Sequence, residues 1–300
     1  MNSENRILFE APNLEELTKE HSVFDMHFHS RYTDGTDSVQ DIIERAHQLN
    51  IGIAITDHND IRAAVEIDQD QSVPSIPGIE ITSEIGTHLL IYFYHIEYLK
   101  EFYVGHVMPY LGKDVMSPIS LHLDEIIRRA KAYECIIIFP HPYSAVYTGV
   151  CNYNFSQEQL RDFFSLVDGV EVINSGNFNK WNLQCAILGF NLDKAITGGS
   201  DGHALHHMGK VVTWADCKKD RRSFLDAIKN KENKVIGKEM NLLKKVTSNS
   251  HKLKSNLKNS PDNIGRNIRY GYTFFNSKSK QFRENFRNRI ATGARRGMLL

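Results

Sequence analysis

The stretch that decides the fold is Val23-Phe24-Asp25-Met26-His27-Phe28-His29, an apolar run that ends in two histidines one residue apart. Side chains on a strand alternate between its two faces, so Asp25, His27 and His29 should point the same way. Two imidazoles on one face of a strand end can share one metal ion. The stretch therefore predicts a strand that presents metal ligands at its carboxyl end.

Further apolar runs alternate with segments of helical periodicity along residues 39–230. Ser38 and Asp41 predict a capped helix start, and Ser120 predicts another. Near-continuous apolar strands between helices predict an α/β fold with a parallel sheet covered on both sides. In such folds the chemistry lies at the carboxyl ends of the strands. So many convergent strand ends favour a closed or nearly closed barrel over an open sheet.

Nine potential metal ligands follow these strands. Taken alone, each is best explained as a hydrogen-bonded or solvated residue, and Asp34-Gly35 is typical of a turn. Asp201 and His203, however, repeat the spacing of His27 and His29. Six imidazoles and three carboxylates at successive strand ends together predict a metal centre. The nine residues are His27, His29, Asp34, His58, Glu80, His88, His141, Asp201 and His203.

These motifs also resemble those of the PHP (polymerase and histidinol phosphatase) family, over roughly residues 22–236 and in the family's order. The motifs are Asp25-Met26-His27-Phe28-His29-Ser30, Asp34-Gly35, Ile55-Thr56-Asp57-His58, Gly78-Ile79-Glu80-Ile81, His88-Leu89-Leu90, Pro140-His141-Pro142 and Ser200-Asp201-Gly202-His203. The resemblance implies a distorted (β/α)7 barrel that holds up to three divalent metal ions and hydrolyses a phosphoester.

The resemblance also implies how the ligands divide and which of them take part in catalysis, namely Glu80, Asp201 and His203. Asp57 would lie outside the ligand set, either orienting an imidazole or serving as a structural acid. One ion would be held by His27, His29, Glu80 and Asp201, a second by Glu80, His88 and His141, and a third by Asp34, His58 and His203.

The ligand chemistry indicates the type of substrate. Three divalent cations against three carboxylates leave about three positive charges, which favours an anion such as a phosphate ester over a neutral amide. Metal ions also activate water as a nucleophile near neutral pH. Mixed oxygen and nitrogen ligands without cysteine favour Mn²⁺, with Zn²⁺ and Fe²⁺ as alternatives.

Residues beside the ligands have two interpretations each. Arg31 is equally well explained as a clamp for a non-reacting phosphate or as a surface ion pair, and Lys210 and Tyr143 are weaker candidates for phosphate binding. Asn174 could line the pocket, and Glu171 could be either a buried helper or a ligand. His206 and His207 are best explained as solvated loop residues.

The composition indicates whether the protein is secreted, spans a membrane or lies in the cytoplasm. The first 20 residues lack the apolar segment of a signal peptide, and no run reaches the roughly 20 apolar residues of a membrane span. Four widely spaced cysteines without a C-x-x-C motif favour free thiols in a reducing cytoplasm. A cytoplasmic protein is therefore expected.

Acidic and basic residues are unevenly distributed along the chain. Residues 241–300 hold 14 Lys or Arg and 2 Asp or Glu, which leaves 22 basic and 34 acidic residues in 1–240. We therefore expect an N-terminal lead-in (1–21), a catalytic domain (22–240) and a basic linker and tail (241–300). The tail could bind nucleic acid, attach to an anionic membrane surface, or remain solvated or docked on the acidic domain.

The favoured function is a metal-dependent phosphoesterase that acts on a small phosphate monoester, a nucleotide or an oligonucleotide end. A C–N bond hydrolase of amidohydrolase type is an alternative, although no lysine occupies the place of Glu80. A nucleic-acid-binding or regulatory protein that uses its basic tail is another. The sequence does not indicate an oligomeric state.

Overall fold

The structure is a computed structural model that describes residues 6–144, 148–153 and 155–239. The predicted basic linker and tail, 241–300, lie outside these residues. No helix in the described ranges is both long enough and apolar enough to cross a bilayer.

The described strands form two five-stranded sheets, and the α/β class is confirmed. The first sheet has the order β1 (Ile7–Leu8), β10 (Lys234–Gly237), β9 (Val211–Ala215), β2 (Ser22–Phe28) and β3 (Gly52–Ile55). The second has the order β4 (Gly78–Thr82), β5 (His88–Phe93), β6 (Cys135–Phe139), β7 (Gly169–Asn174) and β8 (Ala195–Gly199).

The expectation of a purely parallel sheet is wrong. Strands β2–β3, β6–β7 and β7–β8 are parallel, but β5 is antiparallel to both β4 and β6, and β9 is antiparallel to β2 and β10. Only five residues connect β4 to β5, too few for a helical crossover, so the chain must return antiparallel. The short strands β1 and β10, of 2 and 4 residues, were not predicted.

Eight α-helices of the described chain connect and cover the strands. The predicted cap of α2 is confirmed, since the Ser38 side chain accepts a bond from the Asp41 N–H and Asp41 accepts one from the Ser38 N–H. The predicted start at Ser120 is wrong, because the Ser120 N–H donates to the Tyr110 carbonyl. The helices are α1 (Leu14–Glu20), α2 (Val39–Leu49), α3 (Arg62–Asp68), α4 (Ile96–Phe102), α5 (Leu123–Ala130), α6 (Gln157–Leu166), α7 (Asn179–Leu192) and α8 (Arg221–Lys229).

The two sheets enclose a common apolar core. Every residue of β2 is buried, and alternation sends its side chains to two clusters. Val23 packs with the helix α2 residue Ile42, whereas Phe24 packs with Tyr92 of the second sheet. The Tyr92 hydroxyl donates to the Met26 carbonyl at 2.6 Å, so its polar end is satisfied inside the core.

Short backbone bridges join the sheets at two places. Beyond β2, the His29 N–H donates to the Gly202 carbonyl at 2.8 Å, and beyond β3 the Glu80 N–H donates to the Asp57 carbonyl at 3.2 Å. A Cβ at Gly199 would lie 2.4 Å from the His27 Cβ, so the approach of β8 to β2 requires glycine there. These bridges bring the ends of β2, β3, β4 and β8 together. A single closed (β/α)7 ring stays a prediction.

We predict that Thr213→Val lowers the free energy of unfolding by about 1–3 kcal/mol. The Thr213 hydroxyl accepts from the Gly198 N–H at 2.8 Å and donates to the Gly198 carbonyl at 2.9 Å, and valine leaves both groups unpaired in a buried position. Urea denaturation measures the change. Thr213→Ser keeps the hydroxyl and serves as the control, so equal stability of Thr213→Val and wild type would contradict this role.

Candidate metal centre

The nine predicted ligands converge on one site, with Glu80 at its centre. Glu80 lies on β4, its side chain is 1% exposed, and five imidazoles surround its two oxygens. From Oε1, the distances are 2.8 Å to His88 Nδ1 and 3.4 Å to His141 Nε2; from Oε2, they are 3.1 Å to His58 Nδ1, 3.4 Å to His27 Nε2 and 3.5 Å to His29 Nε2.

Two aspartates join the remaining imidazole to this group. Asp201 Oδ1 lies 3.1 Å from His29 Nε2 and 3.6 Å from His27 Nε2. Asp34 Oδ2 lies 2.8 Å from His203 Nε2. The loops that follow β2 and β8 supply these residues, so strands far apart in sequence contribute to a single cluster of nine donors.

Three groups of donors are each compact enough to hold an ion, with ligand atoms within 4.8 Å of one another. They resemble the predicted division but do not reproduce it, because His58 belongs to two groups and His141 to none. The assignment of ligands to three separate ions therefore stays a prediction. The groups are His29, Asp34, His58 and His203; His27, His29 and Asp201; and His58, Glu80 and His88.

The nitrogen atoms of the cluster fit a bound cation. Among the described residues, four buried imidazole nitrogens make no hydrogen bond of good geometry, although two of them face Glu80 Oε2 at 3.1 and 3.4 Å: His58 Nδ1, His27 Nε2, His29 Nδ1 and His141 Nδ1. Leaving a buried polar atom unsatisfied costs about 1–3 kcal/mol. Coordination of a divalent cation by histidine nitrogens and carboxylates would remove this cost, and the donor set suits Mn²⁺, Fe²⁺ or Zn²⁺.

The imidazoles keep the carboxylates ionised. Burial favours the neutral acid, but His88, His58 and His27 outweigh it and hold the pKa of Glu80 well below its usual value. Burial would also raise the pKa of Asp201, but His27 and His29 outweigh this effect and hold the pKa of Asp201 well below its usual value.

The imidazoles differ in protonation. Burial lowers the pKa of His58 to about 3, so His58 is neutral and able to ligate. Burial acts in the same direction on His27, but Asp201, Glu171 and Glu80 outweigh it and raise the pKa of His27 well above its usual value. A metal ion bound at His27 must displace that proton, so metal affinity should rise with pH.

Glu171 organises the residues behind the cluster and is best interpreted as a buried helper. Its Oε1 lies 3.0 Å from His27 Nδ1, and its Oε2 accepts bonds from the His141 N–H and from Asn174 Nδ2, both at 2.9 Å. Asn174 Nδ2 also lies 3.3 Å from Asp201 Oδ2. Glu171 therefore fixes the orientation of ligands from three strands.

Two buried aspartates hold the loops that carry ligands. Asp57 accepts bonds from the Ser30 N–H and the Thr33 hydroxyl, both at 2.7 Å, and burial raises its pKa to about 6. These contacts favour the structural interpretation of Asp57. Asp25 accepts bonds from the N–H groups of Ser200 and Gly209. Sequence reasoning noted the position of Asp25 on the His27 strand but gave it no role.

The other predicted residues have mixed outcomes. His206 is exposed, as expected, but His207 is 2% exposed and accepts a bond from the His203 N–H at 3.2 Å. The solvated interpretation of His207 is therefore wrong, because its ring packs behind a candidate ligand. Arg31 and Lys210 have exposed side chains, and their role in substrate binding stays a prediction.

Two candidate ligands have strained backbones. His141 and Asp201 adopt φ values of 31° and 49°, in the left-handed region that non-glycine residues seldom enter. Each such residue costs about 1–3 kcal/mol and persists only where the surroundings enforce it. In these conformations His141 Nε2 lies 3.4 Å from Glu80 Oε1, and Asp201 Oδ1 lies 3.1 Å from His29 Nε2.

Comparison with protein families identifies the domain. The family model described as PHP domain matches residues 25–157, and the model described as PHP-associated matches residues 180–233. The chain is a PHP-domain protein. An uncharacterized protein of Methanocaldococcus jannaschii is 26% identical to the PHP chain over 166 residues, which are 50% of this chain and 81% of that protein.

Solved structures share the fold of this PHP-domain protein. The lesion-specific endonuclease Q of Pyrococcus furiosus matches with a TM-score of 0.59 and 19% identity, covering 72% of this chain and 57% of that one. Endonuclease Q in complex with a 27-mer duplex that has an abasic lesion at the active site matches with a TM-score of 0.60 and 18% identity. The match covers 73% of this chain and 60% of that one. A two-domain protein of Bacteroides vulgatus containing a predicted PHP-like metal-dependent phosphoesterase matches with a TM-score of 0.53 and 15% identity. The match covers 79% of this chain and 70% of that one.

We predict that Glu171→Gln weakens metal binding by about 10–100-fold, because the His27 imidazole loses the carboxylate that orients it. Metal titration followed by elemental analysis measures the affinity, and circular dichroism checks the fold. The exposed acid Glu158 provides a matched control, Glu158→Gln. Unchanged affinity in Glu171→Gln would show that Glu171 does not orient the ligands.

Proposed function

We propose that this PHP-domain protein is a metal-dependent phosphoesterase that hydrolyses a phosphate ester by means of metal-activated water. The observation that carries the proposal is the convergence of nine donors around Glu80, where His27 Nε2 and His58 Nδ1 face a carboxylate oxygen without a hydrogen bond of good geometry. We infer that the bridges between the two sheets complete a distorted (β/α)7 barrel around this site.

The charge of the site supports an anionic substrate. Three bound divalent cations would exceed the charge of Asp34, Glu80 and Asp201 by three, and by two when Glu171 behind His27 is included. A cationic pocket with buried walls attracts phosphate more strongly than a neutral amide. The number of ions is taken from the family resemblance, and Mn²⁺ is the favoured metal, with Zn²⁺ or Fe²⁺ as alternatives.

Exposure indicates the side from which substrate enters. The side chains of His27, His29 and Glu80 are at most 1% exposed, whereas those of His203, Asp201 and Asp34 are 14%, 22% and 23% exposed. The ester would therefore approach past these three residues. Glu80 and Asp201 would hold the cations in place.

The His203 ring is held in a fixed orientation for binding a cation. Its Nε2 lies 2.8 Å from Asp34 Oδ2, and its Nδ1 lies 2.8 Å from the Asp201 carbonyl, so both ring nitrogens have defined partners. Bound divalent cations would supply a deprotonated water and stabilise charge on the phosphoryl oxygens.

The type of ester is a further part of the proposal. A small phosphate monoester, a nucleotide and an oligonucleotide end all fit a cationic pocket, and the duplex bound to endonuclease Q supports including nucleic acid. Because the chain spans about 60% of that protein or less, this support concerns the shared domain. A C–N bond hydrolase is less well supported, because Glu80, rather than a lysine, lies between the imidazoles at the centre of the cluster.

We predict that wild-type protein hydrolyses p-nitrophenyl phosphate with Mn²⁺ and that His27→Ala lowers the rate at least 100-fold. Loss of His27 removes a buried nitrogen within reach of both Glu80 and Asp201. Metal analysis by mass spectrometry accompanies the assay, and His206→Ala, at an exposed histidine, is the control. Equal rates for wild type and His27→Ala would reject the proposal.

The basic tail is proposed to strengthen binding of nucleic acid. Protein lacking residues 241–300 should bind single-stranded DNA at least 10-fold more weakly at low salt, and the dependence of affinity on salt should become shallower, because most of the 14 cationic residues act on phosphates. Fluorescence anisotropy at several salt concentrations measures both effects. If the protein lacking residues 241–300 still binds DNA with unchanged affinity and salt dependence, the binding belongs to another part of the chain.

A further inference from the structure

Two aromatic side chains, one on the loop after His141 and one on helix α7, form a parallel pair. The rings of Tyr143 and Trp181 are inclined by only 8°, with their centroids 6.5 Å apart. Both residues are partly exposed, and neither belongs to the buried core clusters of the described chain. Centroids of stacked aromatic pairs lie about 4.5–7 Å apart, so this pair is at the wide end and leaves ring surface uncovered.

The pair is connected to the metal centre through two short segments. Tyr143 follows the candidate ligand His141 by two residues, which limits their Cα separation to about 7 Å. Asn182, next to Trp181, accepts a bond from the Asn174 N–H at 3.1 Å and donates to its carbonyl at 2.9 Å. Asn174 in turn contacts Asp201. The aromatic pair therefore lies beside the site and is fixed to it.

Tyr143 is held firmly. Its N–H donates to Cys185 Sγ at 3.4 Å, its carbonyl accepts a bond from Asn177 Nδ2 at 2.6 Å, and its hydroxyl bonds to the Cys151 side chain. A ring fixed at its backbone and at its hydroxyl loses little entropy when a planar ligand stacks on it. The contacts thus prepare a flat apolar surface in an otherwise polar region.

A lysine side chain lies beside the two rings. Lys180 Nζ lies 4.7 Å from the centre of the Trp181 ring, and its side chain is exposed. An aromatic surface with a neighbouring positive charge suits a ligand that combines a planar base with an anionic phosphate, because the base stacks and the ammonium attracts the anion. A sugar phosphate without a base would leave the rings unused.

We propose that Tyr143 and Trp181 stack on the base of a nucleotide-type substrate whose phosphate lies at the metal centre. This inference rests on the proposed phosphoesterase function and narrows it to esters that carry a nucleobase. Stacking on one aromatic side chain contributes about 1–3 kcal/mol, which corresponds to roughly 5–150-fold in affinity.

Binding can be measured without turnover. The chain has two tryptophans, so Trp214→Phe leaves Trp181 as the only tryptophan reporter. Titration of that full-length variant with adenosine 5′-monophosphate should quench its fluorescence at concentrations at least 10-fold lower than titration with ribose 5-phosphate, which is the same ester without the base. Equal binding of the two compounds would overturn the inference.

Substrate preference gives an independent test. Trp181→Ala should lower the ratio of kcat/KM for adenosine 5′-monophosphate to that for ribose 5-phosphate about 10-fold, and Trp181→Phe should restore most of it. Phe190→Ala is the matched control, because Phe190 lies on the same helix and is 82% exposed. An unchanged ratio in Trp181→Ala would contradict the role of the rings.

The two proposals can fail separately. If neither compound nor p-nitrophenyl phosphate is hydrolysed with metal bound, the phosphoesterase function fails, and the fluorescence titration still decides whether the rings bind a base. If ribose 5-phosphate is hydrolysed as efficiently as the nucleotide, hydrolysis stands and recognition of the base by Tyr143 and Trp181 is rejected.

Discussion

The structure depends on a negative charge buried at the centre of the molecule. Glu80 is almost completely enclosed and ionised, and burying a carboxylate without compensation costs several kcal/mol. Five imidazoles surround it, but imidazoles packed together cannot all carry protons, as the pKa of about 3 at His58 shows. Divalent cations held by these imidazoles and carboxylates would balance the buried charge.

This requirement explains features that are costly by themselves. The left-handed backbones of His141 and Asp201, the glycine contact between Gly199 and His27, and the buried Glu171 all reduce stability unless they serve the cluster. Each places a donor near Glu80 or fixes one there. The strained residues His141 and Asp201 lie in the cluster, whereas the left-handed backbones of Asn50 and Asp193 end helices α2 and α7.

Sequence reasoning found the ligands because their signal is local. A histidine or acid at the end of an apolar run can be recognised from its neighbours, as at His27 and at Asp201. The sheet topology was harder to predict, because the direction of β5 depends on a short connection and β1 pairs with β10 across more than 200 residues. The support given by His207 to His203 was missed for a similar reason, since a histidine on a loop has the same sequence signature whether it is buried or solvated. The cap at Ser38 was predictable because all its interactions lie within four residues.

The division of the cluster between the two sheets has a consequence for biosynthesis. His27, His29, Asp34 and His58 belong to the first sheet and the loops after it, whereas Glu80, His88, His141 and Asp201 come from the second. Two of the three donor groups include Asp201 or His203, so a nascent polypeptide would complete those two groups only after these residues have left the ribosome. Metal loading at those groups would then be a late step of maturation.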